Sequence, residues 1–401
     1  MSTPAPLPGD EAIVEAAALR FDSLPPLSLY VHLPWCVRKC PYCDFNSYEA
    51  RGTLPDLEYV DALLRDLRGE VPLAQGRTIE TIFLGGGTPS LFSGEAIARL
   101  LDGMRAEAPI AANAEISLEA NPGAVDAARF AAFRDAGVNR LSIGVQSFRD
   151  EKLRALGRVH DSAQAEAAVA TARAAGFTNL NLDLMYGLPG DDVGGAVADL
   201  ERAVALEPEH VSWYQLTLEP NTAFERRPPP LPDDDVVARI EEQGRALLAA
   251  HGYERYEVSA YARHGRRCTH NLNYWQFGDY LGIGAGAHGK LTLLEAGEIA
   301  RRAKTRNPRT YLQGAGGEGA TTEERVATQA QAALEFLMNA LRVLEGTPVE
   351  VFEMRAGQPA KAIAAARAAA TRRGWLDDEP GWLRATPSGL QRLNKLLELF
   401  A

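Results

Sequence analysis

Residues 30–47 read YVHLPWCVRKCPYCDFNS, an apolar run that opens into three cysteines, Cys36, Cys40 and Cys43. The chain of 401 residues has one further cysteine, Cys268, far along the sequence. Three of four cysteines within eight consecutive positions read as metal chemistry and not as a disulfide framework. The Cys-x3-Cys-x2-Cys spacing delivers three soft thiolates from one short loop. Three such ligands can hold one face of an iron–sulfur cube and leave the fourth iron without a protein ligand, open to a substrate or cofactor. A structural zinc would need a fourth ligand, for which His32 and Cys268 are the candidates.

Working outward, the cysteine loop follows an apolar stretch, Leu27–Leu33, that has strand character. Five more short apolar runs follow: Thr81–Leu84, Glu115–Ala120, Arg140–Gln146, Asn179–Met185 and His210–Leu218. Ala-rich segments with helical spacing separate them, at about 56–70, 94–108, 124–136, 163–175, 195–206 and 233–251. Repeated strand–helix units with right-handed crossovers make a parallel sheet with helices outside. The predicted fold is therefore α/β, a partial (β/α)6 barrel over residues 27–302, preceded by a tail at 1–26 without strong pattern. A Gly/Pro/Arg-rich stretch at 303–322 reads as a linker. Beyond it, helical segments at about 323–345 and 360–373, a hairpin at 375–386 and a last helix at 388–400 predict a smaller winged-helix-like α+β domain over 323–401.

Composition limits what such a chain does. The net charge is −11, with 46% hydrophobic and 24% charged residues. No overall field would recruit nucleic acid, and the segment from Glu323 onward balances 10 Lys+Arg against 10 Asp+Glu, so the winged-helix-like unit lacks a basic footprint. No apolar run approaches the ~20 residues of a membrane span, and the first residues carry no signal-peptide pattern, so a cytoplasmic location is expected.

The loops after the other strands carry the remaining chemistry. LGGGTPS (84–90) follows the second strand, and its glycines let backbone approach a ligand and expose amide donors. Glu119, Gln146 and Asp183 sit at or near the ends of the third, fourth and fifth strands, with Arg158 in LGRVH after the fourth. Parallel α/β barrels place their sites at the C-terminal ends of the strands, where these loops meet the cysteine loop.

The cysteine spacing, with Tyr42 before the last cysteine, resembles the signature of radical S-adenosylmethionine (SAM) enzymes. In that family a [4Fe-4S] cluster binds SAM through its open iron and cleaves it reductively to a 5′-deoxyadenosyl radical. The ordered strings LGGGTPS, SLEANP, RLSIGVQSF, LGRVH and NLDLMYGLPGD resemble the oxygen-independent coproporphyrinogen III dehydrogenase group, most of all its heme-chaperone branch. The resemblance implies that Cys36, Cys40 and Cys43 hold the cluster and that Tyr30, Gly86 and Glu119 contact its SAM. Gly86, Gly87 and Thr88 match the motif that holds the methionine amino group. Tyr42, Gly87, Thr88, Gln146, Arg158 and Asp183 match residues that the dehydrogenase uses for a second SAM.

Two features choose within the group. Phe45 stands where the dehydrogenase has a further cysteine, which puts oxidative decarboxylation to protoporphyrinogen IX in doubt. HNLNYW (270–275) resembles the chaperone's HNxxYW motif, so His270, Asn271, Tyr274 and Trp275 become heme candidates. A neutral imidazole is a good axial ligand for heme iron, and aromatic rings pack against the macrocycle. Cys268 and His288 are rival axial ligands, and Arg263, Arg266 and Arg267 are candidates to pair with propionates. The implied partners are heme, a heme-accepting respiratory protein reached by peripheral contact with a membrane protein, an electron donor for any catalysis, and a second copy of the chain in a homodimer.

Overall fold

The computed structural model describes residues 19–317 and 319–401. Six parallel strands form its centre: β1 (Leu27–Leu33), β2 (Ile79–Gly86), β3 (Ile110–Ala120), β4 (Arg140–Gln146), β5 (Leu180–Tyr186) and β6 (His210–Gln215). They pair in that order, each parallel to the next. Between them run α1 (Asp56–Glu70), α2 (Gly94–Glu107), α3 (Ala127–Ala136), α4 (Ser162–Ala174) and α5 (Val193–Ala205), with α6 (Asp234–Ala250) after β6. The core is the interface between the strands and these helices, with Leu29, Val31, Ile82, Leu84, Leu118, Ile143 and Leu182 fully buried. Side-chain caps start the helices where short polar residues precede apolar periodicity: Ser93 accepts from the Ala96 amide, and Asp161 forms a capping box with Gln164.

The sheet continues beyond the six expected strands. After β6, β7 (Ala260–Ala262) pairs antiparallel to it. The HNLNYW motif lies in a helix, α7 (Thr269–Trp275). From α7 the chain enters β8 (Asp279–Ile283), which pairs parallel to β1 on the edge opposite β2. The antiparallel strands β9 (His288–Leu293), β10 (Glu298–Lys304) and β11 (Thr321–Val326) then extend the sheet outward. The stretch expected as a linker at 303–322 thus holds the end of β10, a short helix at Pro308–Gly314 and the start of β11. The expected helix at 323–345 begins later, as α8 (Gln329–Ala340), because Thr328 caps it with Gln331 in a capping box and residues 323–326 pair with β10.

The C-terminal unit adds α9 (Val349–Ala356), α10 (Ala364–Arg372), a minimal strand pair joining Thr347–Pro348 to Trp382–Leu383, and two short helices at Pro387–Gln391 and Leu393–Leu397 in place of one. It has its own core, which includes Phe277 and Ile299 from the sheet extension. Phe277, just past α7, meets Phe336 of α8 edge-on at 5.6 Å, and Phe336 meets Phe352 of α9 at 5.2 Å. These contacts anchor the end of α7 to the C-terminal unit. Residues 1–18 of the expected tail lie outside the described residues. Leu19 is no longer part of a patternless tail, since it is buried in the C-terminal core.

A buried ionic cluster holds the sheet extension to α1. Lys304 Nζ lies 2.6 Å from both Asp66 Oδ1 and Glu70 Oε1, with all three side chains at most 4% exposed. Tyr311 donates to Asp66 at 2.6 Å and accepts the Gly284 amide at 3.0 Å, and Tyr59 accepts the Ala285 amide at 2.7 Å. Asn46 of the cysteine loop donates to the Ala285 carbonyl at 2.9 Å. The ion cluster therefore supports the turn on which the cysteine loop rests. Removing the cation leaves two buried carboxylates facing each other, so Lys304→Met is expected to lower unfolding free energy by about 3–5 kcal/mol in urea denaturation. A loss within about 0.5 kcal/mol would show that the cluster is not a structural tie.

Candidate functional site

The C-terminal ends of β1–β5 open into a cavity of about 250 Å³ lined by Cys36, Cys40, Cys43, Tyr42, Gly86, Gly87, Thr88, Glu119, Gln146, Arg158 and Asp183. All of the residues expected at the cluster and SAM site are there except Tyr30, which lines the adjoining cavity. All four cysteines are free thiols. Burial raises the Cys36 and Cys43 thiols above their usual range, and neighbouring hydrogen bonds only partly offset this. A bound cation would reverse that direction. Arg158 reaches across, its Nη1 3.7 Å from Cys40 Sγ and its Nη2 donating to the Gly144 carbonyl at 2.8 Å. Among the described residues no three His, Cys, Asp or Glu side chains close on a single metal-ion position. His32 is already engaged, with Nδ1 3.0 Å from Tyr30 Oη and Nε2 2.8 Å from the Asn46 carbonyl, and Cys268 lies elsewhere. The two candidates for completing a zinc site are thus both turned to other work.

The glycine-rich loop behaves differently from its sequence reading. Its amides are spent inside the protein: Gly86 N–H donates to Glu119 Oε2 at 3.0 Å, Gly87 to the Leu33 carbonyl at 2.9 Å and Thr88 to the Trp35 carbonyl at 2.7 Å. The glycines are there for close packing. Gly86 has φ of 110°, and a Cβ on it would sit 2.5 Å from the His32 ring. The loop therefore clamps the start of the cysteine loop to β2 and fixes Glu119.

Glu119 and Asp183 are two carboxylates on the barrel interior. Burial and the nearby Asp183 charge push Glu119 up to about 8, against the Gly86 hydrogen bond. Burial also raises Asp183, although Ser142 at 2.9 Å and Asn181 at 2.8 Å donate to it. Gln146 accepts from Tyr214 at 2.8 Å and adopts φ of 69°, a left-handed conformation at the mouth of the cavity. Such strain is found where a site over-determines its backbone.

A second cavity of about 650 Å³ shares Phe45, Gly86 and Glu119 with the first. His270, Asn271, Tyr274 and Trp275 of α7 all line it, with Tyr30, Phe83 and Tyr280 completing an aromatic wall. Phe45 is 57% exposed between the two spaces. His270 is 1% exposed; its ring lies 5.1 Å from Phe83, nearly stacked, and its Nδ1 is 2.8 Å from Thr81 Oγ1. Its Nε2 is buried with no hydrogen-bond partner, and burial lowers the ring to about 3, so the imidazole is neutral.

Of the rival candidates, all but His288 fall away from this cavity. Cys268 is buried, with Sγ 3.5 Å from Glu115 Oε1, and burial pushes its thiol up to about 12. Arg267 is held by Glu345 at 2.9 Å, Arg263 lies over the Tyr253 ring at 5.3 Å, and neither these nor the exposed Arg266 line the cavity. Arg306 does line it, as does His288. Tyr280 and Arg306 were missed in sequence because the pairing that brings their segment in, Leu27 of β1 with Asp279 of β8, joins distant residues, and Phe83 because an apolar strand residue reads as core.

Residues 30–203 match the radical SAM superfamily model, and residues 327–392 match the HemN C-terminal domain. The heme chaperone HemW of Escherichia coli is 52% identical over 377 residues, covering 94% of this chain and 98% of that protein. The HemW of Haemophilus influenzae is 48% identical over 381 residues, with 94% and 98% covered. Among solved structures, the radical SAM enzyme coproporphyrinogen III oxidase (HemN) from Escherichia coli superposes with a TM-score of 0.79 at 26% identity, over 94% of this chain and 90% of that one. Among the described residues no helix is long and apolar enough to cross a membrane. With near full-length identity of about half to heme chaperones and the radical SAM and HemN C-terminal domains in order, the chain belongs to the HemW heme chaperone family of radical SAM proteins.

Proposed function

We propose that the larger cavity receives heme, with His270 Nε2 as the axial ligand, and that the smaller one receives a [4Fe-4S] cluster on Cys36, Cys40 and Cys43 together with SAM. The observation that carries the heme assignment is the neutral imidazole of His270, which lines a cavity within the roughly 300–1,000 Å³ range of ligand pockets and keeps its Nε2 buried without a partner. A buried polar atom without a partner costs stability unless a ligand completes it, and an imidazole lone pair suits ferric or ferrous iron. Tyr274, Trp275 and Phe45 offer ring faces and edges to the macrocycle, and Arg306 is the cation on this cavity that can pair with a propionate.

The donor set in the smaller cavity also fits its group. The three thiols share the space with Arg158, whose Nη1 lies 3.7 Å from Cys40 Sγ. Once bound, the cluster and SAM would supply one-electron chemistry. Around them, Gly86, Gly87 and Thr88 would hold the rim, Glu119 would face the SAM cation, and Tyr42, Gln146, Arg158 and Asp183 line the remaining wall. The cargo would then pass to a heme-accepting protein. Oxidative decarboxylation of coproporphyrinogen is the weaker reading, because Phe45 provides no thiol where the dehydrogenase has one.

Ferric heme titration of the anaerobically purified protein should show saturable one-to-one binding. His270→Ala should weaken it at least as much as the roughly 10–100-fold typical of losing a supporting partner at a metal. Equal affinity in the variant would remove His270 as the ligand.

Glu119 gives SAM binding a pH dependence of predictable sign. In the empty site the group is protonated below about 8. The sulfonium of SAM favours the carboxylate, so binding releases a proton at neutral pH and affinity should rise from pH 6 to 8 and then level off. Calorimetric titration of the cluster-reconstituted protein should show this slope, and Glu119→Gln should flatten it. A pH-independent wild-type affinity would contradict the assignment.

A further inference from the structure

The strand floor beneath His270 contains a second pair of groups with no other evident task. Ser28 on β1 and Thr81 on β2 are opposite each other in the parallel ladder, and both side chains are 1% exposed. Thr81 Oγ1 is 2.8 Å from Ser28 Oγ and 2.8 Å from His270 Nδ1. Neither hydroxyl lines the cavities. We propose that Ser28 and Thr81 are positioning residues that fix the His270 imidazole in its Nδ1–H tautomer and so keep the Nε2 lone pair bare for the iron of a porphyrin. This rests on the heme reading given above and deepens it.

Thr81 has a single hydroxyl proton. Donated to Ser28, it leaves Thr81 as an acceptor, and His270 Nδ1 must then carry the hydrogen. Nε2 is left with a lone pair and no partner. Donated instead to Nδ1, the Thr81 proton forces a hydrogen onto Nε2, where a buried N–H would have no acceptor. Orphaned buried N–H groups are the rarer defect, so the first arrangement wins. Phe83, two residues beyond Thr81 on the same strand, stacks on the ring, and the His270 amide donates to Glu115 Oε1 at 3.1 Å. The ring is therefore gripped on its face, at Nδ1 and at its backbone, with Nε2 left without a partner. A hydrogen-bonded Nδ1–H also makes the imidazole a stronger donor to metal.

Thr81→Val keeps the shape and removes the acceptor. In the cluster-reconstituted, heme-titrated protein it should weaken ferric heme binding about tenfold, within the roughly 10–100-fold range for such partners. It should also shift the heme absorption bands and raise the ferric/ferrous midpoint potential, while Thr81→Ser restores all three. Ser28→Ala, which deletes a still smaller group, should move the potential in the same direction and decides the matter if the valine variant does not fold. Wild-type affinity and potential in Thr81→Val, or an unmoved potential in Ser28→Ala should the valine variant not fold, would overturn the proposal. His270→Ala separates the two levels: if it binds heme as well as the wild type, the heme assignment itself fails, whereas a sensitive His270 with an indifferent Thr81 defeats only the hydroxyl pair.

Discussion

The arrangement depends on β1 being held on both edges by parallel partners. Its ladder to β2 builds the barrel, and its ladder to β8 attaches the extension that carries α7 and the outer meander. One strand thus does three things. Its C-terminal end releases the cysteine loop, its Tyr30 lines the larger cavity, and its Ser28 meets Thr81 under His270. Parallel strands pair through evenly spaced bonds and need long crossovers, so both partners of β1 come from distant sequence. Gly284, just past β8, approaches β1 so closely that an added Cβ would fall 2.3 Å from the His32 carbonyl oxygen. The two cavities adjoin beyond the C-terminal ends of β1 and β2.

Their shared wall gives the site its character. Phe45, Gly86 and Glu119 face both spaces. Gly86 allows the approach, Glu119 is tied to it by a hydrogen bond, and Phe45 presents an exposed aromatic ring at the position where a thiol would make a reactive group. An aromatic side chain there is suited to packing against a flat ligand and not to proton or hydrogen transfer. The C-terminal unit contributes from outside, since the Phe277–Phe336–Phe352 contacts and the bond from Arg355 to the Gln276 carbonyl hold the end of α7.

What was legible in the sequence was local. The Cys-x3-Cys-x2-Cys loop, the strand runs and the helical periodicity each declare themselves within some 20 residues, and the six barrel strands lie close to where their patterns put them. The HNLNYW segment was legible as a motif but not as a helix, because its apolar positions are few and its stability comes from packing on β2 and α8. Strands β8–β11 were hidden for a related reason. β9 and β10 carry Lys290, Arg301, Arg302 and Lys304, and two of these are buried only because Asp279, Asp66 and Glu70 meet them from elsewhere. A charged pattern is read as surface until its partners are known. The glycine loop misled in the opposite way, since its amides looked available and proved to be spent on β1 and Glu119.

The central claim is that one chain holds a thiol-lined cavity and, against it, a heme cavity whose unpartnered ligand is His270. The most direct test is a crystal structure of the anaerobically reconstituted protein with one equivalent of ferric heme. The account predicts iron bonded to His270 Nε2, with the macrocycle between Trp275 and Phe45 and one propionate directed to Arg306. Heme bound outside this cavity, or inside it with iron on Cys268 or on His288 in place of His270, would contradict the account.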